Sequence, residues 1–517
     1  MNKILRLFRK KKNDENEYPN RKMQFETGER ETLEQDYTES YKNFKSPDLR
    51  RFSHPTPLGR RNLNQLPKII TDPTQLAIIG DYNRRNNNAF NNNNRHSSYN
   101  RNDFDFEKLI EIRKAIKTPG ICPKCYNPIA EFGYYIKWCL PCQSKFFRDK
   151  FNSWSSGYND LDVFIQETQL TSQSRFDFLE WIPYNKFKNI KKVGSSESES
   201  VYRAMWLDGP YEKWDVNMTQ YLRCGKWRVA LKSFGNSVNI SKDFFINLRK
   251  YLNSEINNGL YISRYYGITR DPSTKNYMMV VQYACDGDLR KYYEQNSTSL
   301  TWQKRLNILH GITAALTRIH KNDLVHPNLH SGSVLIHSSM MVLLSDLGFY
   351  KPQNNINEGL YCNLPFTAPE TLQNILVTKE SNIYSFGLIM WELAYCKKPF
   401  SDRAHDLSFA IDICNGVHPE FNCDIPECYV DIMEQCLSLD PFMRPTAEQL
   451  YKTLGEWLCL LLNVSNSDIA EQFHEANERL PLFDKTFEDH PEAIYNSRFY
   501  NFKGFEPSSE PSFQQSL

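Results

Sequence analysis

The chain has 517 residues, and its 63 Lys and Arg nearly balance its 61 Asp and Glu, leaving a net charge of +2. This balance gives no overall field that would favour nucleic acid or a membrane surface as a partner. The 13 cysteines follow neither a secreted pairing pattern nor a signal peptide, which favours a reducing cytoplasm, with the nucleus as the alternative. The apolar run at residues 457–464 is too short to span a bilayer.

Residues 1–105 have the composition of a disordered segment. Glu, Lys, Arg and Asn dominate it, and residues 83–95 form a low-complexity run of Asn and Arg. Such a sequence buries too little apolar surface to offset the entropy cost of ordering it. The basic segment 3–12 is most simply a solvated tail, with a nuclear signal or a membrane-surface helix as alternatives.

Four cysteines, Cys122, Cys125, Cys139 and Cys142, have the spacing C-x₂-C-x₁₃-C-x₂-C. Two such knuckles can place four thiolates around one tetrahedral zinc ion. Because four thiolates leave no position open for water, we expect a structural zinc. The alternative is four ordinary reduced cysteines. Aromatic residues in the intervening loop could stack on nucleic-acid bases, but we expect them to cover the metal, so a nucleic-acid partner is not expected.

A helical segment follows the cysteines and completes a region that we assign to residues 106–183. Apolar residues recur at helical spacing from Lys145 to Trp154 and again from Leu161 to Leu170. Residues 181–183 then interrupt the helical pattern. We interpret this segment as a bracket that joins the cysteine-rich unit to the next domain.

The remaining pattern predicts a bilobal α+β domain over residues 184–460. Residues 187–285 contain short strand-like runs, with one helix expected over residues 241–253. An insertion at residues 207–225 exceeds an ordinary hairpin loop, and the sequence does not indicate its role. After Asp288 the pattern becomes helical. One face of a long helix is marked by Leu306, Leu309, Ile312, Leu316 and Ile319.

Short motifs in this domain resemble those of protein kinases, and they occur in the same order. The V-A-I-K strand corresponds to Val229–Lys232, and the H-R-D catalytic loop corresponds to His326–Ser333. The D-F-G motif corresponds to Asp346–Gly348, the A-P-E motif to Ala368–Glu370, and the late Arg to Arg444. Chance agreement in order and separation is very improbable. In the family, Glu370 and Arg444 form a buried ion pair, which we also expect here.

The catalytic side chains of the loop are replaced. The position of the Asp that accepts the substrate proton holds Asn328, and the position of the magnesium-binding Asn holds Ser333. Pro327 replaces the loop Arg. An amide does not accept a proton at neutral pH, so Asn328 marks a degenerate catalytic position.

The phosphate-binding lid is also altered. Of its three glycines only Gly194 remains, since Ser196 and Glu199 occupy the other two positions. Our alignment places Asn247 where a Glu pairs with the strand Lys. Of the catalytic set, Lys232 and Asp346 remain. Since a general base alone contributes about 10²–10⁴-fold, these losses together predict a domain with little or no phosphotransfer.

The adenine pocket is better preserved. Val201 and Ala230 stand at its upper wall, Leu335 at its floor, and Gln282 and Ala284 in the hinge. These residues could equally be ordinary core positions. Binding of ATP and magnesium is therefore left open.

The activation segment offers few hydroxyls for a regulatory phosphate. Between Gly348 and Pro365 it contains only Tyr350 and Tyr361, followed by Thr367. Since the loop Arg that would bind such a phosphate is also missing, we expect one conformation without phosphorylation.

The order of cysteine knuckles, a Trp-Ile-Pro bridge, a tyrosine-kinase-like domain and the tail segment His490–Tyr495 resembles a large fungal family of kinase-like proteins. The resemblance covers about residues 106–500 and implies a serine/threonine-type kinase that uses ATP and magnesium. We expect residues 461–517 to form a helix and a flexible tail.

Three functions remain. The first is a pseudokinase that binds protein partners as a signalling scaffold or allosteric module. The second is an active but atypical serine/threonine kinase. The third is a zinc-dependent nucleic-acid adaptor that carries the kinase fold.

Overall fold

The computed structural model divides the chain into two units, residues 1–103 and residues 104–517. The described residues all belong to the second unit. They are 122, 124–125, 127, 130–132, 136–172, 174–195, 199–215, 220–234, 240, 242–252, 256–337, 341–348, 359–374, 376–421, 425–462, 467–479 and 488–500. The expected disordered segment, Ser196 and Tyr350 lie outside them. Nowhere in these ranges is there a helix both long and apolar enough to cross a membrane.

The cysteine-rich unit contains a short antiparallel hairpin followed by two helices. Strands β1 (Ala130–Phe132) and β2 (Ile136–Trp138) pair, and helices α1 (Leu140–Arg148) and α2 (Asn159–Thr171) follow. Helix α1 starts and ends earlier than the pattern from Lys145 predicted. A proline in its first turn explains the early start, because that position has no intrahelical partner for a backbone N–H.

The small lobe is built on one six-stranded sheet, in the order β3-β10-β11-β8-β5-β4. Its first strand, β3, pairs in parallel with β10, so the sheet begins immediately after the bracket. In chain order the elements are β3 (Glu180–Trp181), β4 (Phe187–Ser195), β5 (Glu199–Trp206), β6 (Tyr211–Asp215), β7 (Gln220–Arg223), β8 (Trp227–Phe234), α3 (Lys242–Tyr251), β9 (Tyr261–Ile262), β10 (Tyr265–Arg270) and β11 (Tyr277–Gln282).

The large lobe is mainly helical, which confirms the mixed α+β class. A small sheet, β12-β13-β9, lies beside its helices. Its elements are α4 (Leu289–Asn296), α5 (Trp302–Lys321), β12 (Val334–His337), β13 (Met341–Leu344), β14 (Leu360–Cys362), α6 (Pro369–Asn374), α7 (Lys379–Tyr395), α8 (Leu407–Cys414), α9 (Glu427–Cys436), α10 (Ala447–Leu462), α11 (Asp468–Glu478) and β15 (Arg498–Tyr500).

Two capped helices form the centre of the large lobe. Thr301 caps α5 by accepting from the backbone of Lys304, and Thr378 forms a capping box with Ser381 at the start of α7. The predicted apolar face of α5 is completely buried, and α7 is buried from Ser381 to Tyr395. These helices form the rigid support of the loops described below.

The bracket helix α2 packs against α3 of the small lobe. The rings of Phe164 and Phe245 have centroids 4.9 Å apart, and Arg249 Nη2 lies 2.6 Å from Glu167 Oε2. Leu161 and Ile165 of α2 are fully buried in the main core. The position of α3 is therefore stabilised from its outer side.

The insertion at 207–225 forms the hairpin β6–β7 and connects the cysteine-rich unit to the small lobe. Its Tyr211 and Tyr221 pack in an aromatic cluster with Phe147 of α1. The Tyr221 hydroxyl donates to Gln143 Oε1 over 2.6 Å. The structure thus gives this insertion a role, since its side chains fasten α1 to the domain.

A buried ion pair reinforces that connection. Arg223 Nη2 lies 2.5 Å from Glu180 Oε2, and the guanidinium is 3.7 Å from the ring centroid of Tyr211. Burial raises the pKa of Glu180, although Arg223 opposes this shift. Arg223 therefore stabilises the charged form of a carboxyl group that is 7% exposed.

Candidate active site

The frame of the catalytic loop is intact. Asn382 of α7 accepts from the backbone N–H of His326 over 2.8 Å and donates to its carbonyl over 2.7 Å. The His326 ring lies 2.7 Å from the carbonyl oxygen of Ser345. Both His326 and Asn382 are almost completely buried. The loop is thus fixed to α7 and to the strand end that precedes Asp346.

Asn328 uses both ends of its side-chain amide. Its Nδ2 donates to Ser497 Oγ over 2.7 Å, and its Oδ1 accepts from the backbone N–H of Asn363 over 3.1 Å. A neutral amide has no site that accepts a proton near pH 7. The residue therefore binds its neighbours but cannot act as a general base.

Ser333 is buried and occupied by its own turn. Its hydroxyl accepts from the backbone N–H of His330 over 3.1 Å and donates to the carbonyl of His330 over 2.8 Å. The side chain is fully buried. Ser333 thus caps the short turn at 331–333, and this geometry directs its hydroxyl to the backbone.

Lys232 and Asp346 form an ion pair with each other. Lys232 is 8% exposed, and Asp346 has a left-handed backbone with φ +61°. Few non-glycine residues adopt this conformation, and Asp is among those that tolerate it best. Asn247, at the position of the usual carboxylate partner, accepts from Lys250 instead over 3.5 Å. Of the predicted catalytic residues, the structure therefore brings Lys232 and Asp346 into direct contact.

Gly348 meets Pro327 of the catalytic loop. The glycine has φ +74°, and a Cβ atom placed on it would lie 2.5 Å from Pro327 Cγ. Any larger residue would be strained by the backbone and would also clash with the proline. The Pro that replaces the loop Arg thus packs directly on the segment that contains Asp346.

The remaining pocket residues are positioned by strand register. Gly194 pairs with Val201 across β4 and β5, Val201 pairs with Lys232 on β8, and Ala230 pairs with Val281 on β11. Only the backbone of Glu199 is described here, as part of β5. A Cβ on Gly194 would meet no described atom within 4 Å.

The predicted hinge and floor residues lie around two strands: Gln282 ends β11, Ala284 follows it, and Leu335 lies in β12. The backbone N–H of Gln282 donates to the carbonyl of Arg264 over 2.9 Å, and its side chain accepts from the backbone of the same residue over 3.2 Å. Ala284 is 8% exposed. Leu335 is half-buried and forms an isolated bridge with Asp288.

The end of the activation segment is tightly packed. Arg444 makes a bidentate ion pair with Glu370, at 2.6 and 2.9 Å, so the predicted pair is confirmed. Tyr361 and Thr367 are 8% and 7% exposed. A kinase would therefore have to open this segment before it could phosphorylate either hydroxyl.

The four predicted zinc ligands are brought together. Their sulfur atoms all lie within 4.8 Å of one another, and Cys122 and Cys139 are buried. The distances are 3.8 Å between Cys122 and Cys142 and 3.2 Å between Cys125 and Cys139. A tetrahedral zinc–thiolate site needs about 3.8 Å between sulfur atoms. The residue set therefore fits zinc after small shifts of the sulfur atoms.

The family assignment rests on a comparison of the whole domain. The profile of protein tyrosine and serine/threonine kinases matches residues 187–454, just over half of the chain. The chain belongs to this family. Within the domain, the kinase scaffold is retained at Lys232, Asp346, Glu370 and Arg444, whereas Asn328 departs from the catalytic pattern.

Individual relatives agree with this assignment. The chain is 27% identical over 35% of its length to a serine/threonine-protein kinase/receptor of Acanthamoeba polyphaga mimivirus. It is 26% identical over 55% of its length to the serine/threonine-protein kinase kinX of Dictyostelium discoideum. It is 24% identical over 41% of its length to ephrin type-B receptor 2 of Gallus gallus. The chain covers 11%, 25% and 22% of these relatives, respectively.

Residues 488–500 of the C-terminal tail, for which the sequence predicted a flexible segment, lie against the kinase domain. Strand β15 pairs antiparallel with β14 of the activation segment, and Asn363 Nδ2 donates to the carbonyl of Tyr495 over 2.6 Å. The sequence reasoning missed Ser497 and Asn363 as neighbours of Asn328. The sequence offered one signal, the segment His490–Tyr495, which resembles a family tail but does not reveal its binding site.

Proposed function

We propose that this chain is a pseudokinase, whose kinase domain binds a protein partner instead of transferring phosphate. The amide at Asn328 is the observation that carries the proposal. It replaces the carboxylate that would accept the proton of a substrate hydroxyl, and both of its polar ends are held by hydrogen bonds.

The residues around Asn328 support the same conclusion. A candidate alternative base is His330, whose Nε2 lies 3.4 Å from Ser497 Oγ. However, His330 Nδ1 accepts from the backbone N–H of Gly332 over 3.1 Å. A neutral imidazole that accepts through Nδ1 carries its proton on Nε2. His330 therefore faces Ser497 as a donor and does not replace the missing base.

The residues that would hold ATP and magnesium fit only in part. Lys232 and Asp346 have the right chemistry for phosphate and for one metal ion, and bound nucleotide would have to separate their ion pair. Ser333 supplies one neutral hydroxyl, which is already used by His330. We propose that any nucleotide bound in this pocket gains little affinity from magnesium.

An active atypical kinase is the second candidate. It is favoured by Lys232 and Asp346, and by the names of the relatives, which describe kinases. An equilibrium titration of the full chain with ATP, with and without magnesium, separates the two. The pseudokinase proposal expects less than a tenfold effect of magnesium, and a larger gain in affinity would favour the active kinase.

A further inference from the structure

Residues 488–500 lie against the large lobe, first through a turn at residues 490–493 and then as a peptide that ends in strand β15. The backbone N–H of His490 donates to the carbonyl of Ser401 over 2.8 Å. The backbone N–H of His405 donates to the carbonyl of Glu492 over 3.0 Å. Strand β15 then continues along β14. Addition of a strand to a sheet edge, with contacts mainly to its main chain, is a common way in which proteins bind peptides.

Tyr495 is the anchor of this segment. Its hydroxyl donates to the carbonyl of Pro399 over 2.9 Å, and the Arg290 guanidinium lies 4.6 Å from its ring centroid. The His405 ring meets it edge-on at 4.9 Å. Burial raises the pKa of Tyr495, consistent with a phenol inserted into a pocket. An aromatic ring that also satisfies its hydroxyl is typical of residues that dominate peptide binding.

Beyond the anchor, the segment places a serine hydroxyl at the degenerate catalytic position. Ser497, two residues after Tyr495, accepts from Asn328 Nδ2 over 2.7 Å. The next residue, Arg498, donates to the carbonyl of His405 over 2.9 Å. Phe499 packs edge-on against Tyr361 of β14 at 5.1 Å. A hydroxyl directly before a strand that pairs with β14, and beside this position, has the placement that a substrate peptide would need.

We propose that the groove lined by Pro399, His405, Asn328 and β14 is a peptide-binding site for the pattern Tyr-x-Ser-Arg, and that the chain's own tail occupies it as a pseudosubstrate. The tail thereby excludes any other peptide of this pattern. Further charge pairing, between Lys398 and Asp489 at 2.5 Å, fixes the tail before the anchor.

The test uses the full chain and a fluorescently labelled peptide with the sequence of residues 488–500. Tyr495→Ala removes the anchor, so its tail should release the groove, and the labelled peptide should bind this variant at least tenfold more tightly than wild type. Arg498→Ala detaches the tail by a different contact and should also increase binding. Asn496→Ala, at an exposed position between the two contacts, should behave as wild type.

Hydrogen exchange provides a second measurement that does not depend on the peptide. The backbone amides of β14 that donate to β15, which are alternate residues of the strand, should be protected in wild type and should exchange faster in both detaching variants. Equal peptide binding by wild type and both variants would overturn the proposal, as would the absence of any protected β14 amide in wild type. Circular dichroism identifies a variant that fails to fold. In that case the hydrogen exchange of the wild-type amides alone tests whether the tail occupies the groove.

The inference rests on the proposed function in one respect: the groove binds a peptide but does not present it to a catalytic base. The two can fail separately. Phosphotransfer by Tyr495→Ala would contradict the pseudokinase assignment and leave the pseudosubstrate intact. Equal binding of the labelled peptide by wild type and the tail variants would contradict the pseudosubstrate and leave the pseudokinase assignment intact.

Discussion

Asn328 donates its side-chain amide to the hydroxyl of Ser497, a residue 169 positions later in the chain. In an active kinase the corresponding carboxylate would accept a proton from such a hydroxyl. Here the direction of the hydrogen bond is reversed. The same geometry that would align a substrate therefore holds the chain's own tail.

Restoring the loop residues should recover little activity. We expect Asn328→Asp combined with Ser333→Asn to stay within about tenfold of wild type in phosphotransfer, although a base alone can contribute about 10²–10⁴-fold. The reason is that Lys232 remains paired with Asp346 and Asn247 still offers it no carboxylate. Transfer of phosphate from labelled ATP measures this. A rise of a hundredfold or more would mean that the loop was the only defect.

The pair of Arg444 and Glu370 should stabilise the large lobe whatever the catalytic state. Arg444→Ala leaves a carboxylate without its partner, and the free energy of unfolding should fall by on the order of 3–5 kcal/mol. Denaturant unfolding measures the loss. Arg479→Ala, which removes an exposed pair with Glu475, serves as the control and should change stability little. Equal stability of the two variants would contradict this role.

We expect one zinc ion per chain, bound by the four clustered cysteines. Cys139→Ser should lose the metal and loosen the unit, because metal binding and folding are coupled in so small a structure. Elemental analysis of protein purified without chelator gives the stoichiometry. Cys459→Ser, at an exposed cysteine outside the set, should keep its zinc. Wild-type protein without zinc would end this prediction.

Removal of Arg223 should destabilise the chain in a pH-dependent way. Burial already raises the pKa of Glu180 above 4.5, so the folded state binds a proton more readily than the unfolded state. The contribution of Glu180 to the free energy of unfolding is fully present below pH 4.5 and is lost as the pH rises through the pKa of Glu180 in the folded state. Arg223→Ala moves that pKa higher.

The loss of stability in Arg223→Ala should therefore be greater at pH 7.5 than at pH 5, as measured by thermal melts at both values. Arg249→Ala removes an exposed ion pair at the same bracket and should show no such difference. If Arg223→Ala loses the same stability at both pH values, the variant does not contain a buried, charged Glu180, and the prediction is wrong.

Local patterns predicted the parts of the fold that depend on local sequence. The apolar face of α5, the buried helix α7 and the pair of Glu370 and Arg444 were all visible, because their residue types and spacing are set by helix geometry and by a shared motif. The cluster of four cysteines was visible for the same reason, since their spacing matches the one that a tetrahedral metal site requires.

Contacts between distant segments were not visible in the sequence. Lys232 and Asp346 are 114 residues apart in the chain. The sequence identified each residue, but it did not predict that they form an ion pair with each other. The docking role of β6–β7 depends on an aromatic cluster contributed by four separate segments. Ser497 lies in a tail whose composition looked flexible, and only the three-dimensional groove reveals its partner.

The most direct test of the pseudokinase assignment is phosphotransfer by the purified full chain, with magnesium, labelled ATP and generic protein substrates. Lys232→Met is the control, because it removes the phosphate-binding cation. We expect wild type and Lys232→Met to give the same background. Robust transfer by wild type that disappears in Lys232→Met would contradict the assignment.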